Sequence, residues 1–302
     1  MASKKPAAEV QINHDLIETL LNEFVKDLKD EAIEFHDAGW DNEIHRLGST
    51  HAVRLPRREA AATLIENEQR WLPELAPILP LPIPAPTHSG KPAFGFPWRW
   101  SVVPWLPGVP LAHAPAVATN VLIDQLSGFL NALHVPAPED APHNPLRGVP
   151  LAERADVVEE RIEQIAPIVS AQGIDIDNVR ALWQELLGTP VWGGEPHWLH
   201  GDLHPLNLLV RGGRLSAVID FGDITAGDPA TDLSVAWMLF AVEGDRNAFR
   251  KALTIDGRSV DIHTWNRSRA WALSHAVGCI ANSADDPTIR RIGSTTLASV
   301  LA

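Results

Sequence analysis

The stretch from residue 197 to residue 232 constrains the fold of this 302-residue chain more than any other segment. Two apolar runs, 208–210 and 215–219, flank an Arg-Gly-Gly-Arg tetrapeptide, a pattern typical of two strands joined by a tight glycine turn. Asp202 and Asn207 precede the first run, and Asp220 follows the second. Because a hairpin returns the chain to the edge where it began, the sequence predicts that these three side chains lie close together.

Two carboxylates and one amide in such an arrangement are the groups that phosphoryl transfer needs. One carboxylate can orient and deprotonate a hydroxyl, while a carboxylate and an amide oxygen can hold Mg²⁺ against the phosphates of a nucleotide. The spacing therefore indicates phosphoryl-transfer chemistry.

The succession HGDxxxxN, glycine hairpin, IDFG and GDPATDL resembles the aminoglycoside phosphotransferase family, whose relatives include macrolide phosphotransferases, choline kinases and one type of homoserine kinase. The resemblance implies that Asp202 is the catalytic base and that Asn207 and Asp220 are the magnesium ligands. Protein kinases carry Arg where this chain has Gly201, so the small-molecule branch of the kinases is favoured.

The resemblance also assigns supporting residues around the HGD loop, the name used here for residues 200–207. His200, together with Asp228 or Asp232, is expected to brace this loop. For both aspartates a turn or N-cap role is expected alongside the bracing role. Asp223 is either a substrate contact or a loop residue.

A two-lobed α+β fold of the protein-kinase type follows from the same resemblance, and the length of the chain suits two lobes. The expected N-terminal lobe covers residues 1–106, contains an antiparallel sheet and binds the nucleotide. The expected C-terminal lobe covers residues 107–302, is mainly helical, and contains the HGD loop and the acceptor site. ATP or GTP, with Mg²⁺, is expected between the lobes.

The N-terminal lobe offers a first set of nucleotide-binding candidates. Gly39 and Asn42 lie in a Gly-Trp-Asp-Asn turn that is expected to cover the phosphates. Arg54 stands in the strand VRLPR, where most kinases have lysine, and its guanidinium can bind phosphate. Either Glu66 or Glu68 of the next helix could pair with Arg54, and the resemblance favours Glu68.

The hinge between the lobes is expected after the apolar segment 98–106. There the carbonyl of Pro104 can accept, and the amide of Leu106 can donate, a hydrogen bond to the purine edge.

Apolar periodicity predicts the remaining elements. After a polar start over residues 1–12, a helix begins at Asp15, which forms a capping box with Glu18. Strands 42–47 and 51–55 form a hairpin. Further helices are predicted over residues 58–71, 117–134, 151–168, 178–187, 232–242 and 265–281, with a final helix within 282–302. Trp237, Trp265 and Trp271 are either core residues or surfaces for a ring-bearing substrate.

Composition limits the partners. The chain has 25 Lys and Arg against 38 Asp and Glu, a net charge of −13, which disfavours nucleic acids and anionic membranes and would attract a cationic substrate. No apolar run has transmembrane length, and the first residues do not read as a signal peptide. The single cysteine, Cys279, excludes an intramolecular disulfide and suits the cytoplasm. The oligomeric state is left open.

The predicted function is therefore Mg²⁺-dependent transfer of the γ-phosphoryl group of ATP or GTP to a hydroxyl of a small molecule. An antibiotic of the aminoglycoside type is favoured over a macrolide as acceptor. One alternative is a metabolic kinase acting on choline, homoserine or a sugar. Another is a non-catalytic binding module, for which the arginine at 54 and a leucine at 206, where relatives often have glycine, are the two arguments.

A zinc site formed by His197, His200 and His204 is the remaining alternative. The segment HGDLH lacks the glutamate of a zinc-protease helix and runs directly into Pro205, which interrupts a helix. The sequence therefore argues against zinc.

Overall fold

The computed structural model describes residues 7–283 and 285–302. Within them, one compact unit comprises residues 7–108 and 216–224, and a larger one comprises residues 109–215, 225–283 and 285–302. The predicted polar start and the predicted N-terminal lobe both begin in residues 1–6, which lie outside the described residues. The same holds for residue 284 of the predicted final helix.

The smaller unit is a sheet with two helices. Its elements are α1 (His14–Phe24), β1 (Ile33–Ala38), β2 (Asn42–Leu47), β3 (His51–Pro56), α2 (Glu59–Leu75), β4 (His88–Gly90) and β5 (Trp100–Pro104). The five strands form one antiparallel sheet in the order β1-β2-β3-β5-β4. Leu47 pairs with His51 across the turn, so the predicted hairpin is confirmed.

Helix α1 begins one residue earlier than predicted, and its cap differs. The side chain of Asn13 accepts a hydrogen bond from the Leu16 amide at 2.9 Å, so Asn13 is the N-cap. The predicted capping box of Asp15 and Glu18 is wrong, because Asp15 already lies inside the first turn. Asn13 lies three residues before the Leu16 amide, which needs an acceptor, and it therefore caps the helix in place of Asp15.

The core of the smaller unit lies between α1 and the sheet. Ile17, Leu20 and Leu21 occupy the buried face of the helix and join a cluster with residues of β3 and β5, among them Val53 and Trp100. The three- and four-residue steps along the helix and the alternation along the strands are what place these side chains on facing surfaces. Helix α2 continues four residues beyond its predicted end, to Leu75.

The larger unit is mainly helical. Its elements are β6 (Val109–Pro110), α3 (Thr119–Leu133), a 3₁₀ turn (Leu151–Arg154), α4 (Ala155–Ser170), α5 (Ile176–Leu187), β7 (His197–Leu199), β8 (Leu208–Arg211), β9 (Arg214–Val218, the last three residues of which belong to the smaller unit), β10 (Thr225–Gly227), α6 (Ala230–Leu233), α7 (Val235–Leu239), α8 (Glu243–Ala252), β11 (Thr254–Ile255), β12 (Arg258–Ser259), α9 (Ile262–Asn282) and α10 (Pro287–Leu301). With these elements, the predicted α+β class is confirmed. No helix among the described residues is both long and apolar enough to cross a membrane.

The predicted glycine hairpin is confirmed. Strands β8 and β9 are neighbours in a three-stranded sheet of order β6-β8-β9. Gly212 and Gly213 join them with φ of 60° and 74°. Positive φ at both central residues is the geometry of the type I′ turn, whose twist matches that of the flanking strands.

Helix α9 forms the centre of the larger unit. It packs against α4, α5, α6 and α10, and apolar residues are buried along its length. Trp237 of α7 and Trp265 of α9 are buried, with ring centroids 4.6 Å apart. Trp271 of α9 is buried as well, so all three tryptophans pack in the core.

Two predicted helices of the larger unit differ from the structure. The helix predicted over 232–242 is wrong, because short i to i+3 bonds, such as Trp237 N–H to Ser234 C=O at 3.2 Å, divide this segment into α6 and α7. The helix predicted over 151–168 starts as a 3₁₀ turn. The other predicted helices are present, with ends shifted by a few residues.

Helix α8 was missed because few of its residues are apolar. It is held by Phe249 and by the buried guanidinium of Arg246, which donates to the carbonyls of Phe240 and Ala241. Arg246 hydrogen-bonds carbonyls at the end of the preceding helix, and because it is charged, a search for apolar periodicity does not detect it.

We predict that Asn13→Ala lowers the free energy of unfolding of the smaller unit by about 1 kcal/mol, because the Leu16 amide loses its acceptor. Glu18→Ala is the matched control and is expected to change stability by less than about 0.5 kcal/mol. Urea unfolding followed by circular dichroism measures both, and a larger effect for Glu18→Ala would restore the capping box.

Candidate active site

The HGD loop lies between two strands of the larger unit. It leaves β7 at Leu199 and enters β8 at Leu208. Strand β7 pairs antiparallel with β10, and Leu199 lies opposite Thr225. The segment GDPATDL therefore begins opposite His197, and its helix α6 carries Asp232, distant in sequence, to residues 200 and 201.

Asp232 holds the start of the HGD loop through two backbone hydrogen bonds. The amide of His200 donates to Oδ2 at 2.8 Å, and the amide of Gly201 donates to Oδ1 at 2.9 Å. Nε2 of His134 lies 3.1 Å from Oδ2. Gly201 has φ of 85°, a conformation that favours glycine, which accounts for the middle residue of HGD.

The carboxylate of Asp232 is buried and ionised. Burial raises the pKa of this carboxyl, but His134, His200 and the Gly201 amide outweigh burial and bring the pKa below its ordinary value. Of the two aspartates between which the sequence left the bracing role open, Asp232 is the one that contacts the loop.

Asp228 performs a different structural task. Its carboxylate binds Arg267 of α9, with Nε 2.6 Å from Oδ2, and accepts the Ala230 amide at the start of α6. Both charged side chains are buried. Asp228 therefore joins α6 to α9.

Asp202 is placed by its neighbours in the loop and by an arginine outside it. Its amide donates to Nδ1 of His200 at 3.2 Å. Arg147 donates from Nη2 to Oδ1 at 2.8 Å, and Nε2 of His204 lies 3.4 Å from Oδ2. Burial raises the pKa of Asp202, but Arg147 and His204 outweigh it and hold the pKa well below the ordinary value of 3.8. About a quarter of the side chain, 26%, remains exposed.

Asn207 is fixed at the far end of the loop. Its Nδ2 donates to the carbonyl of Asp202 at 2.9 Å and lies 3.3 Å from Nε2 of His204. Within the part of the chain that the structure describes, Oδ1 accepts no hydrogen bond. An amide oxygen left in this way is an oxygen ligand of the kind that Mg²⁺ takes.

Leu206 carries no backbone strain. Its φ is not positive, and its amide donates to Nδ1 of His204 at 3.2 Å. The strain considered for this position, one of two arguments for a non-catalytic module, is absent.

The three histidines of the zinc alternative are separated by their partners. His197 binds the Glu195 carbonyl through Nδ1 and Asp256 through Nε2, while His200 accepts an amide. Across residues 7–283 and 285–302, the group of three potential metal ligands that converges is the exposed set His14, Asp15 and Glu18. The structure gives no support to zinc at the HGD loop.

Asp220 belongs to the smaller unit and is exposed. Its φ is 65°, whereas the next residue, Phe221, is completely buried and anchors the turn. A left-handed aspartate costs on the order of 1–3 kcal/mol and persists only where its surroundings fix it. The predicted convergence of Asp220 with Asp202 and Asn207 stays a prediction.

Other charged groups of the smaller unit lie near Asp220. Burial raises the pKa of Asp41, and the carboxylates of Asp220 and Asp223 raise it further, against the effect of Arg58. Asp220 also adds to the attraction that acts on Arg54. Carboxylates that repel one another in this way are stabilised by a bound cation.

Arg54 of β3 and Glu68 of α2 form a buried ion pair. Nη1 of Arg54 lies 2.8 Å from Oε2 and 2.9 Å from Oε1 of Glu68. Burial lowers the pKa of Arg54, but the attraction of Glu68, together with that of Asp220 and Asp41, outweighs burial and keeps the pKa above its ordinary value. Glu66, the other glutamate considered, faces Arg99 at 3.6 Å.

The predicted phosphate-covering turn is closed by hydrogen bonds. The Gly39 amide donates to the carbonyl of Asn42, and Arg57 donates to the carbonyl of Gly39, both at 2.8 Å. Oδ1 of Asn42 is buried without a partner among the described residues. A buried acceptor of this kind costs free energy unless something outside the chain donates to it.

The hinge candidates lie at the end of β5. Pro104 pairs with His51 across the sheet, and the Trp105 amide donates to Thr50 at 2.7 Å. The amide of Leu106 makes no backbone hydrogen bond within the described residues. It is therefore available to a ligand, as a hinge donor must be.

Arg147 was missed by the sequence analysis. The turn that carries it is tightly packed: Gly148 has φ of 69°, and a Cβ at Gly227 would lie 2.4 Å from the Gly148 carbonyl oxygen. The Asp228 amide also donates to that carbonyl at 3.0 Å. The sequence offers an Arg-Gly pair in the loop before a helix as a signal, but nothing in the sequence indicates that Arg147 contacts Asp202.

We predict that Asp232→Asn lowers the free energy of unfolding by roughly 2–4 kcal/mol, because a buried charged acceptor of several hydrogen bonds is lost. The lowered pKa means that this stabilisation is present above about pH 3.8 and is lost as the pH falls through the folded-state pKa. Urea unfolding measures it. Exposed Asp124→Asn on α3 is the control, and equal effects in both variants would contradict the account.

We also predict that Asp202 stays ionised at every pH above 3.8, so the phosphotransfer that the sequence leads us to expect should show no acid limb from Asp202 in that range. In Arg147→Gln we expect the pKa of Asp202 to rise, because only His204 and His275 then oppose the effect of burial. The acid limb of the pH profile should therefore move to higher pH. The pH dependence of kcat/KM measures the shift. An unchanged profile in Arg147→Gln would show that Arg147 does not set this pKa.

Comparison with known proteins places the chain. A sequence model of the phosphotransferase enzyme family matches residues 32–271. The fold is similar to that of an aminoglycoside 2'-phosphotransferase-IIIa in complex with GDP, with a TM-score of 0.64 and 20% identity over 96% of this chain and 99% of that one. It is also similar to the apoenzyme of macrolide 2'-phosphotransferase MphH from Brachybacterium faecium, with a TM-score of 0.56 and 21% identity over 94% of this chain and 98% of that one.

A third similar structure is the ternary complex of streptomycin, ATP and APH(2")-IIa, with a TM-score of 0.56 and 19% identity over 97% of this chain and 99% of that one. The predicted kinase-like fold is thus confirmed. The chain belongs to the phosphotransferase enzyme family and is a phosphotransferase that acts on hydroxyl groups.

Proposed function

We propose that this protein transfers the γ-phosphoryl group of ATP or GTP to a hydroxyl of a small molecule, with Asp202 as catalytic base. The observation that carries the proposal is the pair of hydrogen bonds from the HGD loop to Asp232, at 2.8 and 2.9 Å. They fix the loop so that Asp202 and Asn207 are held at its two ends. A preorganised carboxylate and amide are what this chemistry uses, since it depends mainly on positioning and charge neutralisation.

Asp202 suits the role because it is ionised and partly exposed. It would accept the proton of the acceptor hydroxyl as that oxygen forms its bond to the γ-phosphorus. The bond between that phosphorus and the β–γ bridging oxygen breaks, and the electron pair leaves with the nucleoside diphosphate. Arg147 and His204 hold the carboxylate in place meanwhile.

Asn207 and Asp220 are the proposed ligands of Mg²⁺. The donor set fits: the amide oxygen of Asn207 accepts no hydrogen bond from the residues that the structure describes, and Asp220 is an exposed carboxylate among others that a cation would stabilise. When bound, Mg²⁺ neutralises charge on the transferring phosphates.

The smaller unit supplies the proposed nucleotide contacts. Arg54, positioned by Glu68, would bind the phosphates, and the turn from Gly39 to Asn42 would cover them. Pro104 and Leu106 would bind the purine edge through backbone groups. Related structures hold GDP in one case and ATP in another, which supports a purine nucleotide and leaves its base open.

We further propose that residues 1–106 and 107–302 act as the nucleotide-binding and acceptor-binding lobes, and that the protein works in the cytoplasm, where nucleotide and Mg²⁺ are available. His200 and Asp232 would brace the HGD loop, Asp228 would support it through α9, and Asp223 is a candidate substrate contact.

Two acceptor classes are in competition. An antibiotic, aminoglycoside before macrolide, is supported by the net charge of −13 and by the streptomycin bound in one related structure. A metabolic acceptor is supported by Arg147, because a guanidinium 2.8 Å from the proposed base is poorly placed for a polycationic substrate. Incubation of both classes with Mg²⁺ and each nucleotide, followed by mass spectrometry for the gain of one phosphate, discriminates between them.

We predict that Asp202→Asn lowers kcat by about 10²- to 10⁴-fold with nucleotide affinity preserved, as expected for loss of a general base.

Asp220→Ala should abolish Mg²⁺-dependent turnover and leave the fold intact, because an exposed side chain contributes little to packing. Steady-state kinetics and calorimetric nucleotide binding measure both effects, with Asp124→Ala as control. A kcat near that of wild type in Asp202→Asn would place the base elsewhere.

A further inference from the structure

Three arginines lie in succession where the chain enters the helical part of the larger unit. Arg147 is in the loop before the 3₁₀ turn, Arg154 ends that turn, and Arg161 lies in α4. The last two are seven residues apart, two helical turns, and thus on one face. We call these three residues the arginine cluster.

Two members of the cluster have no carboxylate partner among the described residues. Arg154 is only 5% exposed, and its Nε is buried without any hydrogen-bond acceptor. Arg161 likewise forms no ion pair within residues 7–283 and 285–302. A buried guanidinium without a counter-charge is costly, and proteins retain such groups where a ligand supplies the missing anion.

The arginines are also close enough to repel one another. Burial lowers the pKa of Arg154, and Arg161 and Arg147 lower it further. Burial and Arg147 also lower the pKa of Arg161, against the smaller opposite effects of Cys279 and Glu160. Like charges held together at this expense form an electropositive site.

Helix α9 provides the opposite wall. His275, Gly278 and Cys279 lie at steps of three and four residues along it. A Cβ at Gly278 would come within 3.1 Å of Nη1 of Arg161, so glycine leaves the space that the guanidinium occupies. Burial lowers the pKa of His275 to about 4 and raises that of Cys279 to about 12, so both are neutral at physiological pH.

The cluster reaches the proposed catalytic base directly. Arg147 contacts Asp202 at 2.8 Å, and the rings of His204 and His275 pack edge to face with centroids 5.8 Å apart. Arg147 thus connects Arg154 and Arg161 with the surroundings of the proposed base. Interactions at a few ångströms outweigh the screened field of the whole chain, whose net charge is negative.

We propose, on the basis of the function proposed above, that the acceptor carries an acidic group, a carboxylate or a phosphate, which Arg154 and Arg161 bind while Arg147 lies between that group and the reacting hydroxyl. Guanidinium groups bind both kinds of anion with two parallel hydrogen bonds. The acceptor is then a hydroxy acid or a phosphorylated alcohol, and an aminoglycoside would meet charge of its own sign.

Matched acceptors test the charge preference. One set is glycerol, glycerate, glycerol 3-phosphate and 3-amino-1,2-propanediol, and a second is glucose, gluconate, glucose 6-phosphate and glucosamine. Within each set the carbon chain is kept while the charged group changes. Phosphate gain is followed by mass spectrometry with Mg²⁺ and ATP or GTP, beside streptomycin and kanamycin.

Acidic members are expected to be phosphorylated with a kcat/KM at least tenfold above that of the amine in the same set. The comparison of carboxylate with phosphate identifies the acid. An amine, a neutral polyol or an aminoglycoside that reacts as well as the acids would overturn the proposal, and so would the failure of every acid. If every acid fails, nucleotide hydrolysis distinguishes the two proposals. Mg²⁺-dependent hydrolysis that is lost in Asp220→Ala would leave the proposed phosphotransferase function standing. Absence of that hydrolysis in the wild-type protein would contradict both the proposed function and the acidic acceptor.

Variants locate the binding group. Arg161→Gln and Arg154→Gln should each raise the KM for the acidic acceptor by about tenfold or more, with a smaller change in kcat and none in the KM for nucleotide. Gly278→Ala should act in the same direction by displacing Arg161. Arg180→Gln, which removes an exposed arginine paired with Glu163 and Asp177, is the control. An unchanged acceptor KM in both cluster variants, with folding verified by circular dichroism, would overturn the assignment.

Discussion

The carboxylate of Asp232 is the interaction on which the proposed chemistry depends. It accepts the amides of His200 and Gly201 from within the core of the larger unit, and His134 contacts the same oxygen as His200. A loop that carries exposed polar groups would otherwise sample many conformations, at an entropic cost of about 1–2 kcal/mol for each ordered residue. A buried anion that satisfies two successive amides removes this freedom at the position directly before Asp202.

Charge is distributed unevenly over the molecule. Around Asp220 in the smaller unit, carboxylates raise the pKa of Asp41 and create a setting that a cation would relieve. Around Asp202 in the larger unit, Arg147 and its neighbours create the opposite setting. The net charge of −13 describes neither place, so the charges next to Asp202 bear on the acceptor more directly than the net charge does.

Local signals made part of this arrangement predictable. The Gly-Gly turn of the β8–β9 hairpin follows from a pattern within a few residues, whereas the preference for Glu68 over Glu66 as the partner of Arg54 came from the family resemblance. The choice between Asp228 and Asp232 could not be made, because both stand in one short motif and only tertiary contacts distinguish them. Asp232 accepts the amides of His200 and Gly201, 32 and 31 residues away, whereas Asp228 binds Arg267. The arginine cluster was missed for the same reason, since its meaning arises only when α4 packs against α9.

Hydrogen exchange of the His200 and Gly201 amides tests the role of Asp232 most directly. The account predicts that both amides exchange slowly, through opening of the larger unit, and that Asp232→Asn accelerates their exchange more than that of amides in α10. Exchange of these two amides in the wild-type protein as fast as in an exposed loop, or rates unaltered in Asp232→Asn, would contradict it.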